Sequence, residues 1–131
     1  MMLPAKILLI CADVTKMRTI STCLTQEGYK VVHSPRGSGA IDLVHLENPA
    51  LVILDVDLPD YNSLAIIRLL RVEESQCRLP VILIGDSLTE QDVLIGLEVG
   101  ADLCLLETFH PQVFIARLRS LLRRSELQKT H

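Results

Sequence analysis

Asp55 is the residue of this chain with the most chemistry to offer. It closes the apolar run LVILD at residues 51–55, and the segment then turns at Pro59. A carboxylate at the C-terminal end of a buried parallel strand sits where open α/β sheets place their reactive groups. Two further runs end on groups able to react. One, ILLIC, ends at Cys11 and is followed by Ala12 and Asp13, and the other runs through LCLL to Glu107. A divalent cation such as magnesium takes hard oxygen ligands, so Asp13 and Asp55 are only weak metal candidates, with Glu107 as a third acid. A reactive thiol needs positive charge beside it, whereas Asp13, Asp55 and Glu107 would raise the pKa of Cys11, so an inert thiol is expected. His33, His45, His110 and His131 share no spacing, and Cys11, Cys23, Cys77 and Cys104 make no CxxC pair. No metal centre is therefore assigned, and the cysteines read as small reduced apolar residues.

The elements that carry these residues follow from composition and pattern. A length of 131 residues, 49% hydrophobic against 22% charged, gives one domain able to bury a core. The net charge of −3 leaves no basic footprint for nucleic acid. Nothing approaches the roughly 18 apolar residues of a membrane span, and no cleavage pattern follows the N-terminus, so a cytoplasmic protein is expected. Five apolar runs, at 7–11, 29–33, 51–55, 81–84 and 103–106, alternate with helical patterns at 16–26, 38–47, 63–73, 89–99 and 111–124. This alternation marks a parallel sheet covered on both faces. The second strand mixes in polar residues and is expected at an edge, with the other four flanked on both sides. Ser87 and Glu90 match a capping box, Gly28 and Gly100 follow helix ends, and Pro111 suits a first helical position.

With Asp55, the five βα units and the strand-end positions in place, the chain from about Lys6 to Arg124 resembles the receiver domain of two-component response regulators. The resemblance implies a flavodoxin-like (βα)5 doubly wound parallel sheet in strand order 2-1-3-4-5, with Asp55 as the equivalent of the phosphoacceptor. It also marks what has changed. The two acids that hold magnesium in the family correspond to Cys11 and Ala12. The phosphate-contacting hydroxyl corresponds to Gly85, the charge-neutralising lysine to Glu107, and the switch aromatic to Cys104. The backbone carbonyl of Asp57 matches a further family ligand. Asn62 and Ser63 replace a usual Asp-Gly pair. Thr108 replaces a proline that a cis bond normally precedes, so the Glu107–Thr108 peptide is expected to be trans.

These departures imply an atypical pseudo-receiver. The expected function is a non-enzymatic regulatory module of a two-component signalling protein that acts through protein contacts or dimerisation, independently of phosphorylation and without a cofactor. One alternative is a weak but usable phosphoacceptor at Asp55, served by magnesium and a histidine kinase. Another is a small-ligand sensor using the crevice emptied at Gly85 and Ala12. Residues 1–124 form the receiver-like domain, and residues 125–131 begin a linker to an output domain. The partner expected at the face of the fourth helix, fifth strand and fifth helix is a second copy of the chain. There Val93, Leu103 and Val113 stand at positions often charged in the family, with Arg117 beside them.

Overall fold

The computed structural model describes residues 4–106 and 110–129. Strands β1 (Lys6–Ile10), β2 (Lys30–Ser34), β3 (Leu51–Asp55), β4 (Val81–Gly85) and β5 (Leu103–Leu106) form one parallel sheet in the order β2-β1-β3-β4-β5. Helices α1 (Val14–Gln26), α2 (Ala40–Glu47), α3 (Ser63–Val72), α4 (Glu90–Val99) and α5 (Pro111–Lys129) connect and follow the strands. This is the flavodoxin-like arrangement that the resemblance implies. The register pairs Ile10 with Leu54 and Asp55 with Ile84. The C-terminal ends of β1, β3 and β4 therefore lie side by side at one end of the sheet, where Asp55 emerges.

Successive strand residues face opposite sides, and both sides are apolar. Ile7, Leu9, Leu51, Ile53, Ile82 and Ile84 meet α1 and α5 through Ile20, Leu24, Phe114 and Leu118. Leu8, Ile10, Val52, Leu54 and Leu83 meet α2 and α3 through Val44, Ile66, Ile67 and Leu70. All residues of β3 and β4 are buried, as befits central strands. The half-exposed strand β2 lies at one edge as expected. Strand β5 is the opposite edge, as the order 2-1-3-4-5 implies, although its apolar run alone reads as flanked on both sides. Its LCLL run is only half-buried because one side has no neighbouring strand.

The helix starts show how local chemistry sets boundaries. Asp13 caps α1 by accepting the Lys16 amide at 3.0 Å, so the helix opens at Val14 rather than residue 16. The capping box of α4 is formed by Thr89 and Asp92, not by Ser87 and Glu90. Since Glu90 is the first helical residue, the reciprocal partner three positions after the cap is Asp92. Gly28 and Gly100 hold positive φ after α1 and α4, which their lack of a Cβ permits. Helix α5 continues through Arg124 to Lys129 without a break.

The short helix α2 has no side-chain cap of its own. Asp60, from the loop after β3, instead accepts the amides of Gly37 and Ser38, each at 3.0 Å. These bonds, the one from Gly37 first, hold the Asp60 carboxyl below the usual carboxylate range. A depressed folded pKa contributes stability that is present above the unfolded pKa and lost as pH falls through the folded value. The Gly37 and Ser38 amides should accordingly lose hydrogen-exchange protection as pH drops below the ordinary aspartate range, after correction for intrinsic rates. The same profile in Asp60→Asn should be flat. Equal profiles in the two proteins would remove Asp60 from the role.

Candidate functional site

Asp55 is 1% exposed, an extreme burial for a carboxylate. Three donors surround it. The Asp57 amide donates to Oδ1 at 2.9 Å, and the Lys16 ammonium donates to Oδ2 at 2.7 Å. The Cys11 thiol lies 3.5 Å from the same Oδ2. Below it, the buried Ser63 hydroxyl donates to the Asp55 carbonyl at 2.6 Å and ties the start of α3 to the end of β3. On the other side of Cys11, the His33 ring meets the Cys11 carbonyl at 3.0 Å. The loop ends of β1, β2 and β3 and the first turns of α1 and α3 are thus bound together around one carboxylate.

Lys16 is the residue that the sequence reading missed. Its side chain is only 9% exposed, and its ammonium lies 2.7 Å from Asp55 and 3.6 Å from Asp86, at the start of the β4–α4 loop. A four-carbon stem lets the charge travel from a helix surface into the crevice while its methylenes cover apolar ground. The available signal was position: Lys16 lies three residues after the cap of α1, at the end of the sheet where Asp55 emerges.

Cys11 stands beside Asp55, because β1 and β3 pair Ile10 with Leu54. Burial, followed by the neighbouring Asp55 charge, pushes its thiol up to about 11. The thiol is therefore protonated at neutral pH and a poor nucleophile. Asp13 is exposed and committed to capping α1, leaving it a surface residue. Glu107 and the Glu107–Thr108 peptide lie outside the described residues. Of the histidines, His33 braces Cys11, His45 pairs with Glu73 at 2.6 Å, and His110 receives the Gln112 amide. His131 lies outside the described residues.

The remaining positions are filled rather than vacant. A Cβ at Gly85 would lie 2.6 Å from Val56 Cγ1 and 3.1 Å from Leu88, so the room expected there for a small ligand is already taken by apolar side chains. The crevice that remains, about 380 Å³, lies beside Lys16 and is lined also by Thr15, Thr19, Ile20 and Asp86. Cys104 packs beneath α4, where a Cβ on Gly96 would come within 3.0 Å of its sulfur. Burial raises that thiol as well. On the expected dimer face, Val113 and Arg117 are exposed, whereas Val93 and Leu103 are only half-exposed. Leu103 packs against the α1–α5 core, so it serves the fold in part. The exposed apolar residues along this edge also include Leu94, Leu97 and Leu106.

Magnesium requires several hard oxygens around one point. Around Asp55 the β1 end supplies a thiol and a methyl, and the acceptor oxygen is engaged by an ammonium. This donor set does not fit the metal.

Comparison with known proteins agrees with the geometry. The family model for the response regulator receiver domain matches residues 7–119. Transcriptional regulatory protein GltR of Pseudomonas aeruginosa is 35% identical over 120 residues, covering 92% of this chain and 50% of that protein. DNA-binding response regulator MtrA of Mycolicibacterium smegmatis is 32% identical over 121 residues, covering 92% of this chain and 52% of that protein. The chain thus spans about half the length of the curated relatives it matches. Among solved structures, the BeF3-activated N-terminal receiver domain of Klebsiella pneumoniae RstA superposes with a TM-score of 0.84 at 32% identity, covering 90% of this chain and 98% of that one. A CheY-like receiver domain protein from Methanospirillum hungatei reaches 0.85 at 18% identity, over 95% of this chain and 98% of that one, and so speaks for the fold alone. Buried parallel strands ending on Asp55, in this strand order and with these relatives, place the chain in the response regulator receiver domain family, a family of signalling domains rather than enzymes.

Proposed function

We propose that this chain is a receiver domain whose output does not depend on aspartyl phosphate, acting instead through protein contacts made by a fixed conformation. One observation carries the reading: the buried Asp55 carboxylate faces a neutral thiol and an ammonium where a phosphoacceptor needs metal-bound oxygens. Phosphoryl transfer depends on positioning and on neutralising phosphate charge, which in this fold falls to a divalent cation. Here the cation ligands are absent at Cys11 and Ala12, and no side chain at Gly85 can contact a phosphoryl oxygen. Cys104 is too small to swing between two pockets and lies packed against α4. Incubation with acetyl phosphate and magnesium should leave the intact mass unchanged. A stoichiometric gain of one phosphoryl group, lost in Asp55→Asn, would overturn the reading in favour of a usable acceptor served by a kinase.

The contacts are assigned to the β5 edge. Leu94, Leu97, Leu106 and Val113 are each 46–50% exposed there, on α4, on β5 and at the start of α5. Apolar side chains at one edge favour a covered surface, and the occupant proposed is a second copy of the chain. Such an interface needs no phosphate-driven rearrangement. Sedimentation at tens of micromolar should show a dimer, and Leu97→Glu with Val113→Glu should weaken it by at least about tenfold by losing apolar burial. Leu103 is left unchanged in this test because it also packs on the core. A monomeric parent protein would remove the surface from the mechanism.

Residues 1–124 are read as the regulatory unit and 125–131 as the start of the connection to an output domain. Helix α5 runs on past Arg124 to Lys129, with Ser125 still buried and Leu127 exposed near its end. The relatives named as transcriptional regulators and a DNA-binding response regulator make transcription control the proposed output, in the cytoplasm. No helix among the described residues is long and apolar enough to cross a membrane.

A further inference from the structure

We infer that Lys16 is the resident cation of the Asp55 site, a built-in counter-ion that holds the acceptor carboxylate in a metal-free state. The inference rests on the functional reading above and adds a second, independent barrier to metal binding besides the lost acids. Its basis is geometric. The Lys16 amide is fixed by the Asp13 cap at 3.0 Å, which sets the first turn of α1 beside the end of β1. From there the side chain reaches inward until its ammonium lies 2.7 Å from Asp55 Oδ2, with 9% of the side chain exposed. The same ammonium lies 3.6 Å from Asp86, whose side chain is 60% exposed.

A lone carboxylate buried as deeply as Asp55 needs an opposite charge or must give up its own. Lys16 supplies that charge, and Asp86 adds a second acid on the solvent side. An ammonium is a compact point charge with three donors, so it can serve both carboxylates and exclude another cation from the same oxygens. A divalent ion brought to Asp55 would meet like charge at contact distance in a partly dry site, where repulsion is poorly screened. Restoring oxygen ligands at positions 11 and 12 is then insufficient by itself. Lys16 also joins the ends of β3 and β4 through one charge, a link between strand ends that needs no phosphate.

The test compares Cys11→Asp with Ala12→Asp in the presence of Lys16 against the same pair combined with Lys16→Met. Magnesium chloride is the probe, and the amide shifts of Asp55, Val56 and Asp57 are the readout, with spectral dispersion reporting that each variant is folded. The variant lacking Lys16 should bind magnesium at least tenfold more tightly than the one retaining it. Equal affinities, or no binding by the variant lacking Lys16, would overturn the role. A measurement on the unaltered domain stands beside it: the Lys16 ammonium protons should exchange with water much more slowly than those of the exposed Lys30. Exchange as fast as Lys30 would also overturn it. Phosphorylation of the unaltered domain sinks the functional reading, whereas equal magnesium affinities of the two variants sink only the role of Lys16.

Discussion

Lys16→Met should lower the unfolding free energy by about 3 kcal/mol near neutral pH, because removing one partner of a buried ion pair leaves the other charge uncompensated. The methionine keeps most of the stem volume, so the loss reports charge rather than a cavity. Asp55 is 1% exposed and Lys16 9%, which takes the pair out of the class of surface bridges worth less than about 1 kcal/mol. Asp55→Asn should also destabilise, since it leaves the ammonium facing an amide. The double variant should lose less than the sum of the two single variants, by about 1 to 2 kcal/mol of coupling. Urea unfolding at constant slope is the measurement. A loss below about 0.5 kcal/mol in Lys16→Met would mean that solvent screens the pair and that Asp55 needs no internal cation.

Much of the fold can be read from the chain because its central strands leave little ambiguity. LVILD and VILIG are buried at every position, and only a parallel sheet covered on both faces demands such continuous apolar runs. The strand β5 was harder to place, for LCLL is as apolar as a central strand although it lies at an edge. Its side chains are covered from either face by α4 and α5, which sequence pattern does not distinguish from strand neighbours. Helix starts shifted by one or two residues for a similar reason. Ser87, Thr89, Glu90 and Asp92 offer two overlapping capping boxes, and only the backbone decides which one closes.

The site was legible where it depended on strand ends and obscure where it depended on reach. Asp55 and Cys11 come together because the register of two adjacent strands requires it. Gly85 was misread as space, since a missing side chain suggests a void until the neighbours Val56 and Leu88 are seen to fill it. Lys16 gave no periodic signal. A lysine in the first turn of a helix ordinarily points to solvent, and its partner is 39 residues away in the chain. The role of the buried Ser63 hydroxyl, which holds the Asp55 carbonyl, is likewise not visible from its place in the Asn62-Ser63 pair.

Arg71 illustrates the same limit far from the site, and its replacement is the other large effect expected. From the last turn of α3 its guanidinium donates to the carbonyls of Gly100 at 2.9 Å and Leu79 at 2.7 Å, with longer bonds to Gln76 and Cys77. It also meets the Asp102 carboxylate at 3.1 Å, and that same oxygen accepts the Val81 amide that opens β4. One side chain thus satisfies the loop before β4 and the turn before β5 together. Gly100 is fitted to it: φ there is +120°, and a Cβ would fall 2.7 Å from Arg71 Cγ. Charge-assisted bonds contribute more than neutral ones, but the loop carbonyls can partly turn to water when the donor leaves. Arg71→Met should therefore cost about 2 to 3 kcal/mol and speed hydrogen exchange at Val81 and Asp102. Arg71→Lys should recover little, because one ammonium cannot reproduce a planar fork aimed at carbonyls on two separate turns. A lysine variant as stable as the parent would show that only the charge beside Asp102 matters, and that the carbonyl bonds contribute nothing measurable to holding the edge of the sheet.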